Sequence, residues 1–202
     1  MEGYLDAISP SAAAGESDRA ARMAEDDRLA LRCRSDVAAF AELYARHREP
    51  VFRYLRARCR DDDDALDLTA TTFERALIAI GRYRPSGAGF PAWLLRIARN
   101  AAIDRGRRLR ARPIPVRLAE VEVESVHDDP AAAAIASDER RRLRELVRAL
   151  SEAQRDALAL RYSAGLTARE IGAVLGKSEE AAQKLIARAL AELKEAYRND
   201  PR

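Results

Sequence analysis

A long basic helix predicted from Phe90 to Arg108 constrains the fold more than any other stretch of the sequence. Pro91 near its start and Gly106 near its end bracket a run of good helix formers. At 100° per residue one face is apolar and should pack inward, namely Leu94, Ile97, Ala98 and Ala101. The opposite face, with Trp93 at its margin, consists of Arg96, Arg99, Asn100, Ile103 and Arg107. This face could meet phosphates and bases, although a solvated Arg-rich surface beside a core tryptophan would produce the same pattern.

Composition favours an all-α protein of one large or two small domains. The 202 residues are 34% charged, only 5% aromatic, and rich in Ala, Arg, Leu and Glu. The net charge of +3 conceals a strong segregation. Residues 82–112 contain nine Arg and a single acidic residue, residues 118–139 contain seven acidic residues and no Lys or Arg, and residues 140–202 are basic again. Two basic blocks around an acidic spacer indicate a nucleic-acid partner.

The hydrophobic period divides the chain into two small helical domains joined by a flexible linker. We expect a loose N-terminal tail at 1–25, a helical domain at 26–112, an acidic linker at 113–137, and a second domain at 138–198. In the first domain the pattern predicts helices at about 26–33, 36–48, 50–60 and 65–80, with a break at Pro50. The inner stripe predicted for the fourth helix consists of Leu68, Phe73, Leu77 and Ile80.

Two polar stretches flank that fourth helix. The run Asp61–Asp64 lacks the ligand spacing and the glycine of a Ca²⁺ loop, and it suits the positive end of a helix dipole. The loop Gly81–Gly89 lacks the Lys-Ser/Thr ending of a phosphate-binding loop. Because it precedes the basic helix, its Tyr83 and Arg84 could contribute base stacking and positive charge.

The second domain has the pattern of a helix-turn-helix. Thr167 and Glu170 form a capping box that begins a short helix, and Ser178 caps a longer helix after a turn at Gly176. The outward face of that last helix consists of Glu180, Gln183, Lys184, Ala187 and Arg188. In a helix-turn-helix such a face enters the major groove. A plain helical hairpin is the alternative.

No catalytic or metal-binding cluster is apparent, so an enzyme is the least favoured class and no cofactor is expected. Cys33 and Cys59 lack C-x-x-C spacing and should be reduced, partly buried thiols. His47 and His127 are far apart in the sequence. The chain has neither a signal-peptide pattern nor an apolar run long enough for membrane insertion, so we expect a cytoplasmic protein.

Several segments together resemble the extracytoplasmic-function (ECF) group of bacterial RNA polymerase sigma factors, which keep regions 2 and 4. Residues 36–44 and 64–76 resemble the start and the polymerase-docking segment of region 2. Residues 90–108, with Ala92-Trp93-Leu94 and Ile97-Ala98-Arg99-Asn100, resemble the segment that melts and reads the −10 element. Residues 151–193, with Gln154-Arg155, Leu160-Arg161-Tyr162 and Arg188-Ala189-Leu190, resemble region 4.

The resemblance implies a promoter-specific initiation factor and assigns partners to the predicted surfaces. Core RNA polymerase would be bound at its β′ clamp helices through Asp64, Asp67, Leu68 and Phe73, and at its β flap through region 4. The −35 duplex would contact Arg155, Arg161, Glu180, Gln183, Lys184 and Arg188. The single-stranded −10 element would contact Tyr83, Arg84, Trp93, Arg96, Arg99, Asn100 and Arg107. An anti-sigma protein is a further expected partner, and the acidic linker would follow the RNA path of the polymerase.

The chain departs from the family pattern at four positions. Leu66, Ala70 and Thr71 replace acidic and Gln positions of the docking segment, and Leu185 stands where the recognition helix of the family usually has a polar contact residue. Two other classes stay open. One is a stand-alone helix-turn-helix repressor or response regulator that does not need polymerase. The other is a helical adaptor or anti-sigma-like protein, which the two basic faces disfavour.

Overall fold

The structure is a computed structural model that describes residues 12–59, 61–111 and 130–199. These residues form helices joined by short turns, with no β-strand among them, which confirms the all-α prediction. The α-helices are α1 (Ala12–Arg32), α2 (Ala38–Arg56), α3 (Asp62–Ala79), α4 (Gly89–Ala111), α5 (Pro130–Ala149), α6 (Glu152–Leu158), α7 (Ala168–Leu175) and α8 (Glu179–Asn199). A 3₁₀ turn, Ile80–Arg82, extends α3, and a π-helical turn, Ala159–Ser163, continues α6.

Side-chain caps fix where the helices begin. The Asp61 carboxylate accepts a hydrogen bond from the Asp64 backbone N–H at 2.7 Å, so the acidic run is the N-terminus of α3. A capping box of Ser151 and Gln154 begins α6, and the predicted box of Thr167 and Glu170 begins α7. Each box satisfies backbone donors that the first helical turn leaves unpaired.

Three predicted helix boundaries in the first domain are wrong. Helix α1 begins at Ala12, so residues 12–25 are helical rather than a loose tail, while residues 1–11 lie outside the described range. Helix α2 runs through Pro50 without the predicted break. Helix α4 ends at Ala111, three residues beyond the predicted Arg108. In α3 the inner stripe is confirmed at Leu68, Phe73 and Ile80 but not at Leu77, which is 44% exposed.

The predicted linker at 113–137 falls largely outside the described residues, but its last part does not. Residues 130–137 belong to α5, so the helical segment of the second domain begins earlier than the Ser137 inferred from the sequence.

Two hydrophobic clusters hold the helices together. The larger one unites both halves of the chain, because Leu43, Phe90 and Leu94 share it with Leu160 and Ile171. Burial of such side chains contributes roughly 1.5–3 kcal/mol each before the entropy of ordering the chain is subtracted. A smaller cluster belongs to the C-terminal half alone and consists of Leu150, Leu158 and Ala189 with Ile186, Leu190 and Leu193 packed against it. The two helical domains are therefore packed on each other in this structure.

Candidate nucleic-acid and polymerase interfaces

Helices α7 and α8 form the predicted helix-turn-helix. Gly176 ends α7 in the left-handed conformation at φ 67°, where a side chain would be strained. Gly172 allows a close approach, since a Cβ atom at this position would lie 2.7 Å from the carbonyl oxygen of Lys177 in the turn. Ser178 accepts a hydrogen bond from the Ala181 N–H at 3.2 Å and begins α8. The turn is thus held tightly at both ends.

The outward face of α8 is open to solvent. Glu180, Gln183, Lys184 and Arg188 are all exposed, whereas Ala182 and Ala189 on the other side are buried. The Lys184 ammonium pairs with Glu180 at 2.5 Å, and Arg188 has no ion pair within the described residues. This face offers a donor amide and two cations, which are the groups that contact bases and phosphates in a major groove.

Arg155 lies in α6 and Arg161 in the π-helical turn that follows it, and both guanidiniums stabilise the fold by donating to backbone carbonyls. The Arg155 guanidinium donates to the carbonyl oxygens of Arg148 and Leu150 at 2.8 and 2.7 Å, which satisfies the end of α5. The Arg161 guanidinium donates to the Leu166 carbonyl at 3.0 Å. Both side chains already have partners in this conformation, which the sequence pattern did not indicate.

On α4 the predicted polar face is divided. Arg96, Asn100 and Arg107 are exposed and make no hydrogen bond or ion pair to other described residues. Arg99 instead turns toward the C-terminal half, where its Nε atom donates to Oδ2 of Asp156 at 2.8 Å. Three groups of the face are therefore free for a ligand and one is engaged.

The aromatic residues near α4 form a core cluster. Tyr83 is 1% exposed and donates its hydroxyl to Asp27, which differs from its predicted role as a base-stacking residue. Burial raises the pKa of Tyr83. The Trp93 ring is partly buried, with its centroid 5.2 Å from that of Tyr83 and 5.4 Å from that of Phe90. Arg84 is exposed and donates to the Tyr83 carbonyl at 3.0 Å.

On α3 the predicted polymerase-binding residues lie on two sides. Leu68 and Phe73 are buried, so they support the helix from inside and cannot contact a partner directly. Asp64 pairs with Arg105 of α4, and Asp67 is exposed. The outward face also exposes large apolar side chains, with Leu66 at 56% and Ile78 at 80%. Exposed apolar groups beside a carboxylate are typical of a protein-binding surface.

Asp156 of α6 is a buried residue that the sequence analysis did not identify. Its side chain has no exposed surface, and it faces three groups of the N-terminal half. The Tyr54 hydroxyl donates to Oδ1 at 3.0 Å, and the Arg58 Nε atom forms an ion pair with the same oxygen at 3.0 Å. With Arg99 on Oδ2, the carboxylate is paired as a buried charge must be.

Comparison with known proteins identifies the family. The family described as Sigma-70 region 2 matches residues 43–112, and the family described as Sigma-70, region 4 matches residues 146–195. The ECF RNA polymerase sigma factor BldN of Streptomyces coelicolor is 35% identical over 191 residues, which cover 94% of this chain and 70% of BldN. The chain belongs to the ECF RNA polymerase sigma factors.

Other sigma factors agree with this membership. The ECF sigma factor SigK of Mycobacterium sp. strain KMS is 35% identical over 133 residues, covering 65% of this chain and 69% of SigK. The structure of CnrH in complex with the cytosolic domain of CnrY has a TM-score of 0.64 at 27% identity and covers 87% of this chain and 98% of that one. Sigma factor RpoE in complex with the anti-sigma factor NepR, from Bartonella quintana, shares the fold with a TM-score of 0.57 at 21% identity and covers 80% and 98% of the two chains.

As an ECF sigma factor, the chain is an RNA polymerase-associated transcription initiation factor. Sigma factors are transcription initiation factors rather than catalytic enzymes. Across residues 12–59, 61–111 and 130–199, no helix has the length and apolar character needed to cross a membrane.

Proposed function

We propose that this sigma factor recruits core RNA polymerase through α3 and recognises both promoter elements through α8 and α4. The observation that carries the proposal is that one chain combines a helix-turn-helix with an open polar face and a second helix with three unpaired polar groups, Arg96, Asn100 and Arg107. The first face suits duplex DNA, and the second suits a separated strand. Region 2 and region 4 family matches support the assignment of the two faces.

The −35 contacts would come from the N-terminal half of α8, where Gln183, Lys184 and Arg188 are exposed. A cation on a phosphate fixes register and adds salt dependence, whereas an amide on a base edge adds sequence preference. Leu185 is half-buried and faces the core, so we assign it no DNA contact. Arg155 and Arg161 would act indirectly by holding the helix ends beneath this face.

The −10 strand would lie along α4. Arg96 and Arg107 would pair with phosphates, and Asn100 would hydrogen-bond a base, while Trp93 would offer the exposed part of its ring. Stacking of a base on an aromatic ring contributes roughly 1–3 kcal/mol, which offsets part of the cost of melting. Tyr83 would support Trp93 from within the core, and Arg84 would add charge at the edge of the loop.

Polymerase docking would use Asp67 together with the exposed apolar groups of α3. The substitution of Leu66 and Ala70 for polar family residues makes this face more apolar, so hydrophobic burial would supply more of the binding energy.

An anti-sigma partner is also proposed. CnrH is found in complex with the cytosolic domain of CnrY, and the Bartonella RpoE is found in complex with the anti-sigma factor NepR. A stand-alone helix-turn-helix regulator would not account for the region 2 match.

The test is a pull-down of core RNA polymerase by the purified chain, followed by run-off transcription from a genomic promoter pool. Asp67→Asn should weaken polymerase capture, and Asp63→Asn, an exposed carboxylate one turn earlier on α3, should not. Tight duplex binding without polymerase capture or transcripts would overturn the proposal in favour of a stand-alone regulator.

Each DNA-binding face has its own matched variants in the same assay. Arg188→Ala should reduce transcription and lower the salt dependence of promoter binding, whereas Lys194→Ala, near the other end of α8, should change neither.

Arg96→Ala on α4 should impair transcription. If Arg96 assists melting, the loss is greater from a closed duplex than from a promoter with a pre-melted −10 bubble. An equal loss from both templates would indicate that Arg96 only binds the separated strand. Arg22→Ala removes an exposed α1 cation and serves as the control.

A further inference from the structure

The buried Asp156 carboxylate joins the two halves of the chain through charge. Its three partners, Tyr54, Arg58 and Arg99, all belong to the N-terminal half, while Asp156 belongs to α6. The carboxylate has no exposed surface, and among the described residues these three side chains are its partners. If the two halves separated, water would replace the partners, and the charges of Asp156, Arg58 and Arg99 would all be solvated. The contact therefore exists in a closed arrangement, in which the two halves are packed on each other, and is lost in an open arrangement, in which they are separated.

Polar contacts at the same boundary reinforce the closed arrangement. The Arg19 guanidinium of α1 donates to the Gly165 carbonyl at 2.7 Å and to the Glu170 carboxylate at 2.9 Å. The Arg169 guanidinium of α7 lies over Gly87, where a Cβ atom would be 2.0 Å from its Nη2 atom. The loop before α4 and the N-terminal helix thus both close on α7.

We propose that Asp156 is an intramolecular competitor of the DNA strand for Arg99, so that the closed chain is autoinhibited. This inference rests on the proposed function, which places the strand along α4. In the closed state the Asp156 carboxylate takes the position that a phosphate would take on the Arg99 guanidinium. A strand that needs Arg99 binds only open molecules, so its apparent affinity is reduced by the fraction of molecules that are open.

The competition has a defined energetic origin. Closure buries the Asp156 charge at a desolvation cost, which its pairing with Arg58 and Arg99 offsets, and the apolar cluster shared by both halves supplies the remaining attraction. Polymerase or DNA that binds the separated halves would then shift the population toward the open state. Arg96, Asn100 and Arg107 stay exposed in the closed state, so a strand can make first contact before Arg99 is released.

Asp156→Asn tests the competition, because it keeps the shape of the side chain and removes its charge. Small-angle scattering should report a larger radius of gyration, and a fluorescent single-stranded oligonucleotide should bind at least about fivefold more tightly. Glu152→Gln is the matched control: Glu152 also lies on α6 and approaches Arg58 at 3.3 Å, but it is exposed. Its radius and affinity should equal those of the wild type.

A second substitution shows whether the gain passes through Arg99. In the Asp156→Asn background, Arg99→Ala should abolish the gain in oligonucleotide affinity while the radius of gyration stays large. An unchanged radius and affinity for Asp156→Asn would overturn the proposal, as would a gain that survives Arg99→Ala. If circular dichroism shows that Asp156→Asn does not fold, Arg19→Gln reports the same equilibrium from α1, and no increase in radius would then overturn the proposal.

Failure of the inference is distinguishable from failure of the proposed function. Scattering measures closure without polymerase or DNA, so an expanded Asp156→Asn variant beside a wild type that captures no polymerase would refute only the proposed function. A wild type that supports transcription beside an unchanged Asp156→Asn variant would refute only the competition.

Discussion

The Nε atom of Arg99 lies 2.8 Å from Oδ2 of Asp156, and the two residues are 57 positions apart in the chain. Arg99 occupies the same polar face of α4 as Arg96 and Asn100, which have no such partner among the described residues. On this one helix face, Arg99 is therefore ion-paired while its neighbours Arg96 and Asn100 are exposed to solvent. Its free groups define where a strand could bind, and its engaged group connects that surface to the arrangement of the C-terminal half.

Loss of the capping box should destabilise the C-terminal domain. Thr167→Ala removes the hydroxyl that accepts a bond from the Glu170 N–H, and we expect a loss of about 1 kcal/mol in the free energy of unfolding. Urea denaturation followed by circular dichroism would measure it. Thr71→Ala, at a partly buried threonine of α3 that makes no side-chain hydrogen bond to described residues, should stay within roughly 0.5 kcal/mol of the wild type. Equal losses for the two variants would contradict the prediction.

The close approach at Gly172 should make this position intolerant of a side chain. In Gly172→Ala the new methyl group would meet the Lys177 carbonyl oxygen, so the turn between α7 and α8 must shift. We expect the free energy of unfolding to fall by about 1–3 kcal/mol, together with weaker duplex binding. Gly106→Ala in α4 has open space around the added carbon and should stabilise the chain by roughly 0.5–1 kcal/mol. Thermal unfolding of the pair would show opposite signs.

The Cys59 thiol should react slowly at neutral pH. Burial, followed by the nearby negative charge of Asp64, raises the pKa of Cys59 to about 11. Since only the thiolate is nucleophilic, alkylation by iodoacetamide at pH 8 should be slow and should rise about tenfold per pH unit until pH approaches 11. Mass spectrometry of the native and the urea-unfolded chain would measure both rates. Rapid native alkylation at pH 8 would show that the thiol is ionised after all.

Asp26 should make the free energy of unfolding depend on pH in the acidic range. Burial raises the pKa of Asp26, but contact with His47 at 2.9 Å and with Arg46 at 3.1 Å outweighs it and holds the pKa below the ordinary 3.8. A carboxylate with a lowered folded pKa stabilises the fold fully above 3.8 and loses that contribution as pH falls through its folded value. Asp26→Asn should therefore cost about 1–3 kcal/mol at pH 6.

Urea unfolding from pH 6 to pH 3 measures this effect. The difference between the wild type and Asp26→Asn should be largest at pH 6 and should shrink as pH falls below 3.8, because the carboxylate is protonated first in the unfolded chain and then, at lower pH, in the folded chain. Asp18→Asn provides the control, since Asp18 is an exposed residue of the same helix paired with Arg22. A difference between wild type and Asp26→Asn that stays constant over this range would contradict the assignment.

Local signals predicted the C-terminal domain well. The capping residues Thr167 and Ser178, the turn at Gly176 and the buried Ala182 and Ala189 all follow from rules that act within one or two helical turns. The apolar period of α4 likewise placed Leu94, Ala98 and Ala101 in the core. These features depend on residues close together in the sequence, which is why spacing alone reveals them.

Where packing opposes a local rule, prediction failed. Pro50 removes one backbone donor from α2, but Val51, Tyr54 and Leu55 after it are buried on the helix that also buries Leu43, and this burial keeps the helix continuous. The sequence predicted a loose tail over residues 12–25 of α1 because Met23 is the one large apolar residue among them, so the segment shows no apolar stripe. Tyr83 was expected to stack on bases because its loop precedes the basic helix, yet its ring completes the core cluster with Phe90 and Trp93.

The contacts between the two halves could not be inferred from spacing. Arg19 meets Glu170 across 151 positions, and Tyr54 meets Asp156 across 102, so no periodic pattern relates them. The one sequence signal for a buried Asp156 was its place directly before the apolar Ala157 and Leu158 in the α6 pattern.

The hydrophobic cluster shared by the two halves has a consequence for dividing the protein. Cutting the chain after residue 112 would separate the region 2 and region 4 matches in the sequence, but the two fragments share one buried hydrophobic cluster in the intact chain. The N-terminal fragment would expose the apolar side chains that now pack on Leu160 and Ile171, and it would leave Arg58 and Arg99 without their shared counter-charge. Each region expressed alone is therefore expected to expose apolar surface that the intact chain buries, and measurements on such fragments describe a different surface from that of the intact chain.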